Sequence, residues 1–337
     1  MTRQTLRHLA TTCSLLGALL CTSPSLAQNK GIGPHGKFTT RRVQCSVQDS
    51  TASSAEHAQV PGSFSAGNFG TIDFPAASDS AAYYINDHGE FAGGYGPDLE
   101  VNFSDVGFLL KKNAFKEIKF PGAVQTGAFG LNNAGDVAGT YLDTSGSIHG
   151  FQYVKGTYTT IDFPGAGLTQ VDSINEAGEI AGLYYEPGSG FGQGFYLVGG
   201  TYTTIDMPGA IDTYPAGIND AGQIVGEYID SAGNYHGFLW QGGTFTTIDY
   251  PGATWSALFG INDQGEIVGE YGDGDGGVNE GFEHGYFYSD GQFLSVDVPF
   301  VGAAATWLTG INKSDQISGI YIDTAGRFYG FTAAISK

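Results

Sequence analysis

The chain has 337 residues, with 34 Asp+Glu against 14 Lys+Arg and a formal net charge of -20. So few cations cannot neutralise a phosphate backbone or settle on anionic lipid, which excludes a general nucleic-acid binder and a protein docked on acidic membranes. Aromatics make up 13% and glycines number 54, which excludes a disordered polyelectrolyte and predicts a turn-rich, helix-poor fold.

Residues 1–27 read as a secretory signal. Arg3 and Arg7 precede the apolar stretch 9–20, and Ser25-Leu26-Ala27 offers small residues for cleavage. The product is expected outside the cytoplasm, extracellular or periplasmic, and as a monomer. It should have no membrane span, because no later apolar run approaches about 18 residues. Cleavage leaves Cys45 as the sole thiol, so no intrachain disulfide is available. Residues 28–63 form an arm whose stretch 44–59 is polar and low in apolar residues. It is expected to be largely disordered.

Residues 64–337 are one unit written repeatedly. A proline recurs at Pro75, Pro121, Pro164, Pro208, Pro251 and Pro299, at spacings of 46, 43, 44, 43 and 48. An apolar-Asn pair follows each, at Asn86, Asn132, Asn175, Asn219, Asn262 and Asn312, and a glycine stands seven residues after each Asn. Gly-aromatic pairs such as Gly150-Phe151 and Gly237-Phe238 close the units. Each unit reads as four short strands separated by Asn, Asp and Gly turns. Four strands in about 44 residues is the size of a propeller blade. The sixth unit stops after its third strand, and 70–75 resembles the missing fourth. The expected fold is therefore all-β: a six-bladed β-propeller of four-stranded antiparallel blades, its ring closed by an N-terminal strand in which 71–74 lies beside 330–335.

The repeats also resemble the HAF-type extracellular repeats of bacteria. The likeness is carried by the stretch from Gly217-Ile218-Asn219 to Gly226 and by His236-Gly237-Phe238, echoed at His149-Gly150-Phe151. Glycine stands here where that name implies alanine, and three units have Val106, Gln193 or Tyr329 in place of the histidine. The resemblance implies an exported repeat protein and brings no catalytic residues.

Loop lengths single out one face. Asn to Gly is seven residues in every unit, whereas the segment joining the second and third strands runs 14, 11, 12, 11, 16 and 11 residues. Those loops and the blade-to-blade loops emerge together, and variable loops on a fixed scaffold are where binding usually resides. That face carries Asp79, Asp98, Glu100, Asp212, Tyr214, Trp255 and Trp307. Asp212, Tyr214, Trp255 and Trp307 are the candidate ligand-binding residues. Aromatics beside carboxylates suit a sugar ring, and the rival reading has both tryptophans plugging the channel as core.

The longest insertion offers Asp273, Asp275, Asn279 and Glu280, hard oxygen donors of the kind Ca2+ prefers. It lacks EF-hand spacing, so a solvated acidic loop competes with a metal site there, and no other cofactor is expected. His149, His236 and His284 occupy equivalent positions and read as structural hydrogen-bonders. Asp162, Asp206 and Asp249 read as turn-capping carboxylates. Nucleophile, zinc and phosphate-loop signatures are absent from the sequence. The leading expectation is a noncatalytic propeller binding a glycan or a cell-surface protein through its variable face. Its alternatives are a carbohydrate lyase or hydrolase using channel-mouth carboxylates, with or without calcium, and a structural envelope protein.

Overall fold

The computed structural model describes residues 64–97, 99, 105–272 and 283–337. The regular elements among them are all strands. β1 (Ser65–Ile72) precedes the first repeat, which supplies β2 (Asp79–Ile85), β3 (Phe91–Gly96), β4 (Val106–Lys111) and β5 (Ala114–Ile118). The second supplies β6 (Gln125–Leu131), β7 (Val137–Leu142), β8 (Ile148–Val154) and β9 (Thr157–Ile161). The third gives β10 (Leu168–Ile174), β11 (Ile180–Tyr185), β12 (Gly192–Val198) and β13 (Thr201–Ile205). The fourth gives β14 (Asp212–Ile218), β15 (Ile224–Ile229), β16 (Tyr235–Gln241) and β17 (Thr244–Thr247). The fifth gives β18 (Trp255–Ile261), β19 (Ile267–Gly272), β20 (Glu283–Ser289) and β21 (Gln292–Val296). The chain ends with β22 (Ala303–Ile311), β23 (Gln316–Asp323) and β24 (Phe328–Ser336). No helix among the described residues is long and apolar enough to cross a membrane.

The first four repeats form separate four-stranded antiparallel sheets, each of consecutive strands. The remaining eight strands share one sheet, so six separate sheets, as the sequence predicts, are not what forms. Within it β18 to β21 pair in order, and β22, β23, β24 and β1 pair in order. A single parallel pair, Glu283 with Ala305, joins the two arrays. The sixth repeat is also longer: thirteen residues separate Pro299 from Asn312 where the others have eleven. β22 is correspondingly nine residues long where the other repeats' first strands have seven. The residue paired with β20 is Ala305, seven residues before Asn312, the place at which the other repeats' first strands begin. β1 takes the fourth place beside β24, with Thr71 opposite Phe331 and Ile72 opposite Gly330. It begins at Ser65 and ends before Phe74, earlier in the chain than the stretch 71–74 expected from the sequence.

The first strands β2, β6, β10, β14, β18 and β22 are neighbours in turn, and β22 lies against β2. Between successive sheets the Gly-aromatic pairs supply the core. Phe108, Phe151, Phe195, Phe238, Tyr286 and Phe331 are each completely buried. Burying such a ring contributes roughly 1.5–3 kcal/mol. The glycine in each second strand is a steric requirement: at Gly226 a Cβ would lie 2.0 Å from the Tyr214 carbonyl oxygen and 2.9 Å from the Phe238 ring. The aromatic before each proline stacks on a second-strand tyrosine in four repeats, as in Phe163 on Tyr184 at 3.6 Å and 3°. The same pre-proline residue donates its N–H to a Ser or Thr hydroxyl in all six, at 2.9–3.2 Å: Ser80, Thr126, Thr169, Thr213, Ser256 and Thr306.

Candidate functional site

Two openings lie along the axis, one at each end of the first strands. The end bearing the fixed Asn turns is built from hydrogen bonds. Each Asn Oδ1 accepts from the backbone four residues on, as Asn219 does from Gln223. Each Nδ2 donates to the carbonyl oxygen of the next repeat's Asn at 2.9–3.3 Å, and Asn312 donates to Asn86. The neighbouring residues add a second, partial circuit. Asp87 N–H donates to Asn133, Asn133 to Glu176, Glu176 to Asp220, Asp220 to Asp263, and Lys313 to Asp87. Burial, and then the nearby Asp263, raise the Asp220 carboxyl above its usual range. Burial opposes ionisation of Asp87, but Lys313 beside it, at 2.8 Å, wins and holds it low. These side chains are engaged in tying repeats together.

The opposite end is a cavity. In each first strand the ladder skips the third residue before the Asn, namely Tyr83, Phe129, Asp172, Ala216, Phe259 and Thr309, and β22 also skips Ala304. Such a bulge re-aims the side chain that carries it. All six line one axial cavity of about 720 Å³ of empty space, its open mouth included. Leu99, Trp307 and Phe328 line it toward the variable loops, and Tyr84 lines both this cavity and the Asn-ring opening. Among the described residues Asp172 is the single carboxyl in the lining. Its Oδ1 accepts from Gln170 Nε2 at 2.8 Å, and its Oδ2 is buried with no hydrogen-bond partner. Burial, only partly offset by Gln170, pushes it up to about 7.

The sequence-predicted residues are distributed rather than gathered. Trp307 reaches the axial cavity but is 6% exposed; its indole N–H donates to Glu283 at 2.9 Å and its ring meets Phe328 edge-on. Asp212 and Tyr214 are buried between the third and fourth sheets, where Asp212 accepts from the Gly192 N–H at 2.5 Å and Tyr214 OH lies 3.4 Å from Tyr185 OH. Burial leads the upward shift of Asp212. Trp255 is half-buried, its indole against Gly272. Asp273, Asp275, Asn279 and Glu280 lie outside the described residues, as do Asp98 and Glu100. Among the described residues no group of three or more His, Cys, Asp or Glu is placed to hold a metal.

The histidines hydrogen-bond across strands: His149 to Asp162, His236 to Asp249 and His284 to Asp297, at 2.8–3.0 Å. Asp162 and Asp249 thus bind the third strand rather than capping the turn after them, and Asp249 also accepts from Gly237 N–H. Sequence reading missed Tyr83, Phe129, Asp172 and Phe259. The available signal was the third residue before each Asn, where one repeat alone carries an acid. It also missed Glu227 and Glu270, buried at equivalent places in β15 and β19.

The fold is a β-propeller. No protein-family model and no curated protein sequence matches the chain. Similar solved structures include a protein of unknown function from Dyadobacter fermentans, with a TM-score of 0.50, 11% identity, and 82% of this chain against 100% of that one. The Aleuria aurantia lectin in complex with Fucα1-6GlcNAc aligns with a TM-score of 0.47 and 9% identity over 77% of this chain and 96% of the lectin. The β-propeller domain of the Trilobed protease from Pyrococcus furiosus aligns with a TM-score of 0.46 and 12% identity over 76% and 94%. At these identities the likeness concerns the fold alone.

Proposed function

We propose that this protein is an exported, noncatalytic propeller that takes a glycan into its axial cavity from the variable-loop face. In this reading the eight-stranded sheet acts as two blades, giving six, and β1 completes the last of them. The unbroken circuit of Asn hydrogen bonds supports that count. The observation that carries the binding reading is the cavity itself, which aromatic side chains of three bulges line together with the Asp172 carboxyl and the Thr309 hydroxyl. Such a lining suits the apolar faces and hydroxyls of a pyranose. The same face presents Val124, Phe191, Ile211 and Val301, four of the five exposed large hydrophobics among the described residues. Binding is favoured over glycoside hydrolysis because the lining holds one carboxyl among the described residues, and hydrolysis needs two flanking the bond.

A glycan array followed by calorimetry on the best hit tests this. Tyr83→Ala and Phe259→Ala should each weaken binding by about 0.5–1.5 kcal/mol. Asp220→Ala, at the opposite end, should leave affinity unchanged. The reversed pattern would move the site to the Asn-ring end and sink the proposal.

A further inference from the structure

Asp172 is the one cavity residue the fold does not need. The five equivalent bulges hold Tyr83, Phe129, Ala216, Phe259 and Thr309, so neither the bulge nor its packing calls for a charge. Placing a carboxyl there opposes stability, because burial penalises the ionised form. Gln170 satisfies only Oδ1, and Oδ2 stays buried without a partner. No Lys, Arg or His lines the cavity among the described residues, and its other titratable side chains are Tyr83 and Tyr84. A sugar hydroxyl could donate to Oδ2 but would leave the buried charge uncompensated. A protonated amine would do both, and aromatic faces of the kind Tyr83, Phe129 and Phe259 supply attract cations.

We propose that the axial cavity selects a ligand carrying a protonated amine, seated on Asp172 among the aromatic side chains of the other bulges. Resting on the glycan reading above, this makes the ligand class an amino sugar with a free amine. The protein's formal charge of -20 favours the approach of such a cation. Amine capture also turns the desolvated carboxyl from a defect into half of an ion pair.

The test is calorimetry on the full chain with glucosamine, N-acetylglucosamine, glucose and tetramethylammonium, for the parent and Asp172→Asn. Glucosamine should bind about tenfold or more tighter than either neutral sugar, a preference set by the charge-assisted contact. Asp172→Asn should erase the preference, keep the weak binding of glucose, and melt no lower than the parent. Asp172→Thr, copying Thr309 of the sixth repeat, serves if the asparagine variant does not fold. Tetramethylammonium binding should release a proton, read by comparing buffers of different ionisation enthalpy, as Asp172 is driven to ionise. Equal affinity for the three sugars overturns the inference and leaves the glycan reading standing. Binding of tetramethylammonium alone, lost in Asp172→Asn, supports the cation site and removes the glycan reading. Silence toward every amine, or a preference that survives in Asp172→Asn, overturns it.

Discussion

A buried acid stores a pH dependence, and Glu227 carries the clearest one. It is 2% exposed in β15, and burial, followed by the charge of Asp212, pushes it up to about 8. Glu270 occupies the same place in β19 and is raised in the same direction, by burial and then by Glu283 and Glu227. An unfolded glutamate loses its proton near 4.5, whereas folded Glu227 keeps it to about 8. Between those values the folded chain holds the extra proton, so raising the pH favours unfolding. Glu227→Gln should flatten the fall in Tm from about pH 5 to about pH 8 and raise the Tm at the upper end, by a free energy on the order of a few kcal/mol. Parallel melting curves for parent and variant across that range would refute the assignment. Neither glutamate stood out in the sequence, because Gly226-Glu227 and Gly269-Glu270 read there as ordinary strand residues. Asp172 was visible only as the lone acid at the third place before each Asn: its burial follows from where a bulge aims a side chain, and residue spacing does not encode the bulge.

Elements were more legible, since their causes are local. The Asn-Gly turns, the strand runs and the Gly-aromatic core pairs are set by positive-φ chemistry and by alternation, both readable along the chain. What the pattern concealed was the use of the turn asparagines between repeats, because spacing reports a turn but not the carbonyl across from it. The Ser/Thr hydroxyl six residues before each Asn was similarly overlooked, although it recurs in all six repeats. It holds the pre-proline N–H at the place where the outer strand hands over to the next sheet. Thr213→Val keeps the shape and removes the acceptor from Met207 N–H, at 3.0 Å. Thermal or chemical denaturation should show a loss of about 1–3 kcal/mol, the cost of a buried donor left unmet. A variant as stable as the parent would mean that this hydroxyl only occupies space. The joined eight-stranded sheet was beyond the pattern for a different reason: Ala305 stands at an ordinary strand start, and its pairing with Glu283 of β20 is a tertiary choice.

At the scale of the whole molecule, the two ends of the axis divide the labour. The Asn end is tied by side chains that leave little free for a ligand, and the cavity end is mostly apolar with, among the described residues of its lining, one unmatched oxygen on Asp172. The same geometry places Ser65 directly opposite Ser336, so the two ends of the described chain lie side by side. In the six-bladed reading proposed above, the contacts specify a cyclic order of repeats, and the linear order of synthesis is incidental to it. A circular permutant makes this measurable. Joining the C-terminus to residue 65 through a short glycine linker, and opening the exposed loop between Gly188 and Ser189, cuts no strand. Such a protein should melt cooperatively within a few degrees of a parent trimmed to residues 65–337 and keep the same axial ligand. A permutant that fails to melt as one unit would mean that β1 must arrive first in the chain, and that the molecule has a beginning after all.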